Sequence, residues 1–183
     1  MRRVLIAFTS HEGQTHTIAH HVARQIEDRG LVCRLIDLSE DRFEAGADDC
    51  DAAIVAGSIH RGAYDPLLAG FIMRHAASLH QVPSAFLSVS LAAASDDQDE
   101  RAALDEIARR FLAEVGWMPD HIEHVAGALH DREMNFVERE ILHAIVDSKG
   151  VQRHPSGHTE LTDWPKLDAF IARFVAQVRG GAK

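Results

Sequence analysis

Apolar residues follow two rhythms along this chain: short unbroken runs, and longer stretches with apolar positions three and four residues apart. The first rhythm marks strands covered on both faces, and the second marks helices with one buried side. Arg3–Phe8 (RVLIAF) is the first run, and a helix is expected over Thr15–Arg29 with Gly30 as its C-cap. Leu31–Leu38 (LVCRLIDL) reads as a second strand, followed by the acidic connection Ser39–Asp51. Ala52–Ser58 is the third strand. Asp65-Pro66 then opens a helix with Leu68, Phe71, Ile72 and His75 along one side. Pro83–Ser90 is a fourth strand, and Gln98–Glu114 an amphipathic helix burying Leu104, Ile107, Ala108, Phe111 and Leu112. His121–Leu129 reads as a fifth strand, and Thr162-Asp163 caps a last helix running through Val178. Alternation of this kind predicts an α/β fold: a doubly wound, five-stranded parallel sheet in the order 2-1-3-4-5, with its ligand beyond the carboxyl ends of the strands.

One stretch breaks the rhythm. His130–His158 is far longer than an ordinary strand-to-helix connection. Met134, Val137, Ile141 and Ile145 recur in it at helical spacing, so it predicts a long helical insert after the fifth strand. Cover for the sheet edge and control of access to the ligand both stand as roles for it. With 183 residues, 46% hydrophobic and 26% charged, the chain suits a single domain over 1–183. A formal net charge of -9 and the lack of a Lys/Arg cluster argue against a nucleic-acid partner. Cys33 and Cys50 lack metal-ligand spacing and read as buried, reduced thiols. No run is long enough to span a membrane. The expected location is cytoplasmic, with peripheral contact at the inner face of a membrane and self-association left open.

The candidate chemistry lies at three loops that this topology brings to one sheet edge. Ser10, His11, Glu12, Gly13, Gln14 and Thr15 form a small, hydroxyl-rich turn between the first strand and its helix. Backbone N–H groups and hydroxyls there converge on a helix N-terminus, where the dipole favours an anion, so the turn reads as a phosphate cradle. It fits neither G-x-x-x-x-G-K-[ST] nor G-x-G-x-x-G, and an ordinary turn with Thr15 as N-cap is the plain alternative. Ser58, Ile59, His60, Gly62 and Tyr64 follow the third strand, and Ser88, Val89, Ser90, Leu91 and Ala92 close the fourth. Small residues and hydroxyls in both loops let backbone approach a flat ring and bond its polar edge. Tyr64 offers a stacking or hydroxyl contact.

The first loop resembles the FMN-phosphate loop of flavodoxins. More of the chain resembles the menaquinone-dependent protoporphyrinogen oxidases, flavodoxin-like proteins with a long insert. The resemblance lies in FTSHEGQT (Phe8–Thr15), GSIHRGAY (Gly57–Tyr64), PSAFLSVSL (Pro83–Leu91), AGAL (Ala126–Leu129) and TDW (Thr162–Trp164). It implies a flavodoxin-like fold, FMN as cofactor with Gly127 among the residues around it, a tetrapyrrole or other small-molecule reductant, and a quinone acceptor. The activity implied is dehydrogenation of protoporphyrinogen IX in haem biosynthesis. Flavin N5 would carry the chemistry, and no side chain is singled out as catalytic acid or base. The insert differs in charge from the family's basic pattern, since Asp131, Glu133, Glu138, Glu140 and Asp147 outnumber Arg132, Arg139 and Lys149.

Other signals carry less. His16 and His20 have a metal-compatible i, i+4 spacing but read as a solvent-facing pair, so no metal is expected. His121 and His124 fall on opposite faces of a strand. Trp117 and Trp164 read as packing residues. No G-x-S-x-G elbow supports a hydrolase. An electron-carrying flavodoxin, an FMN quinone reductase with another substrate, and a non-catalytic module of the same fold stand as alternatives.

Overall fold

The computed structural model describes residues 1–40, 47, 49–130 and 158–181. Strands β1 (Arg3–Phe8), β2 (Val32–Asp37), β3 (Ala52–Ser58), β4 (Ser84–Ser90) and β5 (His121–Ala126) form one parallel sheet in the order β2-β1-β3-β4-β5. The order expected from the sequence is borne out. Every residue of β3 from Ala52 to Gly57 is buried, as a central strand covered on both faces requires. Four helices are described: α1 (Gln14–Glu27), α2 (Pro66–Leu79), α3 (Gln98–Glu114) and α4 (Trp164–Gly180).

The sheet divides the core into two layers. Val4, Ile6 and Phe8 face Ile18, Val22 and Ile26 of α1 and Phe170, Ile171, Phe174 and Val178 of α4. On the other side Leu5, Val55 and Phe86 meet Leu68 and Ile72 of α2, Ala108 and Leu112 of α3, and Trp117. Alternate residues of a strand point to opposite faces, so one apolar run feeds both layers.

Several boundaries move. The fifth strand was expected to reach Leu129 but leaves the sheet at Ala126. Gly127 N–H still donates to Ser90 O at 3.0 Å, after which Ala128–His130 (β6) pairs antiparallel with His158–Glu160 (β7). One apolar run therefore serves two sheets, a change of partner that periodicity does not record. The first helix is closed by Asp28, with Gly30 two residues further on at φ 75°. The cap of α4 is Asp163, whose carboxylate accepts from Lys166 N–H at 3.0 Å, whereas Thr162 turns its hydroxyl to Ala126 O at 2.8 Å. The helix expected through Met134–Ile145 lies outside the described residues.

Candidate functional site

The loops after β1, β3 and β4 sit side by side because those strands are neighbours in the sheet. Gly13 precedes α1 at φ 87°, in the left-handed region that a Cβ disfavours, and no side chain among the described residues caps this helix. Thr15 is thus not the cap; it lies inside the helix and is 2% exposed. α2, α3 and α4 differ in this respect. Asp65, Asp97 and Asp163 each place a carboxylate on a first-turn N–H of the helix that follows. At α1 the N–H groups of Gln14, Thr15 and His16 precede the first intrahelical bond, from Thr17 N–H to Gly13 O at 3.0 Å. Ser10 Oγ accepts from Gly13 N–H at 3.1 Å, which tightens the turn around this helix end. A Cβ on Gly13 would meet nothing within 4 Å, so the glycine answers to backbone conformation and not to crowding. An anionic group fits here as the missing cap.

The side chains of this loop point in different directions. Gln14 Nε2 donates to Glu160 Oε1 at 2.8 Å and to Thr162 Oγ1 at 2.9 Å, tying the loop to the chain returning from β7. Glu12 is exposed. His11 Nε2 lies 3.1 Å from Asp65 Oδ2, across the gap to the start of α2. Glu160, Thr162 and Asp65 were not among the expected site residues. The bonds from Gln14 span 146 and 148 positions of sequence, and no local pattern signals them.

In the second loop His60 and Ala63 exchange both backbone hydrogen bonds, at 2.9 and 3.1 Å. Arg61 and Gly62 between them have φ of 51° and 79°, the left-handed pair of a two-residue type I′ turn. Ile59 N–H is held by Val89 O at 2.8 Å, which fixes this loop to the next. Ser58 and Ile59 are half-buried and His60 is exposed.

Two expectations for side chains here are corrected. Tyr64 is 8% exposed, with its ring against Phe86 and Phe111 at centroid distances of 5.2 and 4.5 Å. Its hydroxyl donates to Ser88 Oγ at 2.7 Å. Ser88 is fully buried and Val89 nearly so. Tyr64 is therefore a core residue, not a stacking or hydroxyl contact, and the Ser88 hydroxyl faces away from the loop surface. The alternation of β4 explains both, since Ser90 and not Ser88 occupies the strand end. Ser90 Oγ accepts from Ala93 N–H at 3.2 Å and shapes the following turn, leaving Ser90, Leu91 and Ala92 half-exposed. Burial pushes the Tyr64 phenol up to about 12, and the Ser88 bond offsets part of that.

The remaining signals resolve by placement. His16 and His20 are exposed with rings 4.2 Å apart, edge-on to Phe8. Desolvation and then the neighbouring His16 lower the pKa of His20. Trp117 is 1% exposed, and Trp164 packs on His21 at 4.5 Å, so both are packing residues as expected. Cys33 and Cys50 are free thiols, half-buried where full burial was expected. Among the described residues, no helix is long and apolar enough to cross a membrane.

A parallel 2-1-3-4-5 sheet with an uncapped first helix and three loops at one edge defines the flavodoxin-like class of nucleotide-binding α/β proteins. The chain belongs to the Flavodoxin domain family, whose sequence pattern matches residues 5–156. It is 28% identical over 179 residues to protoporphyrinogen IX dehydrogenase (quinone) of Escherichia coli, covering 96% of each chain. The resemblance read from the five motifs is thereby borne out. Among solved structures it is similar in fold to a single-site cysteine-to-serine mutant of the flavodoxin from Pseudomonas aeruginosa, with TM-score 0.57, 15% identity and 97% and 99% of the two chains covered. A Fusobacterium nucleatum flavodoxin bound to flavin mononucleotide aligns over all of both chains with TM-score 0.52 and 7% identity.

Proposed function

We infer that this chain is an oxidoreductase of the protoporphyrinogen IX dehydrogenase (quinone) kind, that its flavin is FMN, and that it passes electrons from a tetrapyrrole to a quinone. The observation that carries the cofactor reading is the contrast between α1, which has no side-chain cap among the described residues, and three helices capped by aspartate. The FMN phosphate takes the position of the missing carboxylate. Gln14, Thr15 and His16 N–H groups bind it, assisted by the Ser10 and Thr15 hydroxyls, without any lysine. The flavin ring then lies between the loops Ser58–Gly62 and Ser90–Ala92, held by backbone, with Gly127 alongside. Bound there, the flavin accepts and donates electron pairs at N5. Gly13 and the Asp65-capped start of α2 hold these loops in register. An exposed Glu12 is screened by water and does not oppose the phosphate strongly.

Titration of the purified protein with FMN, riboflavin and FAD tests the cofactor. FMN should bind stoichiometrically, and riboflavin, which lacks the phosphate, at least a hundredfold more weakly, or ~2.7 kcal/mol. Equal affinity for riboflavin would remove the phosphate from the argument. An anaerobic assay with protoporphyrinogen IX and a menaquinone analogue tests the reaction. FMN binding without turnover would return the chain to the electron-carrier reading.

A further inference from the structure

The contact between His11 and Asp65 links two loops that neither the phosphate grip nor the sheet needs to join. His11 is in the loop after β1, and Asp65 begins the helix after β3. Their Nε2 and Oδ2 atoms are 3.1 Å apart, with the imidazole side chain 45% exposed and the carboxylate 13%. The other oxygen of Asp65 accepts from Leu67 N–H at 2.7 Å, which fixes the carboxylate to α2. An ionised carboxylate can only accept, so it selects the imidazole tautomer with its proton on Nε2 and leaves Nδ1 as a base. The His60 ring stands 5.7 Å from that of His11, carried on the type I′ turn that borders the ring site. The arrangement is an oriented imidazole, open to water on one side, beside the place assigned above to the flavin.

We propose that His11 is the proton-transfer residue of this oxidoreductase and Asp65 its positioning residue, a step that rests on the flavin reading given above. Oxidation of the substrate by two electrons releases two protons. One leaves with the electron pair as a hydride equivalent, and neutral His11 takes the other at Nδ1. Reduction of the quinone runs the other way. The hydride equivalent reaches the quinone, and the imidazolium of His11 gives its proton to the oxygen that still needs one. Over one cycle the substrate loses two hydrogens, the quinone gains two, and His11 returns to its neutral form.

The test uses the full chain saturated with FMN, reduced anaerobically with dithionite and mixed with a soluble menaquinone analogue. His11→Gly should slow quinone reduction at least tenfold, and imidazole added to the buffer should restore most of the loss. Asp65→Asn keeps an N-capping side chain and should slow the step about threefold or more, with no rescue by imidazole. If the glycine variant fails to fold, His11→Gln carries the same rate measurement. A readout independent of flavin is the nitrogen-15 spectrum of the cofactor-free protein, where His11 should be the Nε2–H tautomer and lose that preference in Asp65→Asn. Rates within twofold of wild type, a loss that imidazole does not restore, or a dominant Nδ1–H tautomer overturns the proposal. A wild-type chain that takes up no FMN overturns the flavin reading and this one with it. Uptake of FMN with no response at His11 overturns this one alone.

Discussion

Gly57 ends the buried part of β3, and a Cβ built on it would stand 2.4 Å from Leu68 Cδ2 and 3.5 Å from Tyr64 Cδ1. Leu68 is fully buried and has little room to withdraw. Gly57→Ala should therefore destabilise the protein by about 1–3 kcal/mol through overpacking, read as a lower urea midpoint. Gly127 is the counter-case at the same sheet edge. A Cβ there would meet Val89 Cγ1 at 3.5 Å, ordinary contact, so Gly127→Ala should shift the same midpoint by less than about 0.5 kcal/mol. Tyr64→Phe leaves the buried Ser88 hydroxyl without its donor and should cost about 1–2 kcal/mol. It should leave FMN uptake intact, because both side chains lie in the core. Glu12→Thr should tighten FMN binding by no more than about threefold, the scale of a solvent-exposed charge.

Among the helices, α3 shows what a cap is worth. Asp97 Oδ1 accepts from Asp99 and Glu100 N–H at 2.8 and 3.1 Å, and Asp97→Ala should lower stability by about 1 kcal/mol in thermal or urea unfolding. Element order and sheet topology were legible in the sequence because each strand is an uninterrupted apolar run and each helix keeps a 3.6-residue period. The span Gln98–Glu114 of α3 matches its expected range at both ends. The phosphate loop was legible as a backbone device, from a glycine and hydroxyls between strand and helix. What a side chain does within a loop was less so. Tyr64 and Ser88 looked like cofactor contacts by position, yet their register on the inner face gives them to the core. Gln14 looked like loop backbone, and its amide instead reaches Glu160 and Thr162. These outcomes depend on tertiary partners that sequence spacing does not encode.

At the scale of the molecule, two ionisable groups held away from water set an alkaline limit on stability. Burial, and to a lesser extent Glu27, pushes the Cys33 thiol from near 9 up to about 12, and burial does the same for Tyr64 from near 10. Both hold their protons more tightly in the folded state than in the unfolded one. Their contribution is complete below the unfolded values and is lost as pH rises through the folded ones. The urea midpoint should fall progressively from about pH 9 to pH 12, and Tyr64→Phe should flatten part of that fall. A midpoint that holds level over this range would contradict the desolvation of both groups. The net charge of -9 acts at the same scale, giving the molecule no general attraction to anionic surfaces. Recognition of an anionic tetrapyrrole therefore has to come from local groups.

The short ladder between β6 and β7 pairs Leu129 with Thr159 and Ala128 with Glu160, so residues 131–157 leave the domain and rejoin it at one doorway. Thermodynamically such a stretch is a closed loop, and doubling its length costs only about 0.6 kcal/mol. Replacing 131–157 with a short Gly/Ser turn should move the unfolding midpoint little and keep FMN affinity within about tenfold, ~1.4 kcal/mol, while turnover of a large tetrapyrrole is lost. The sheet and its phosphate loop are then a fixed engine, and what lies beyond the doorway is interchangeable. Lineages of this fold can change what they oxidise by exchanging that one segment, without renegotiating the core.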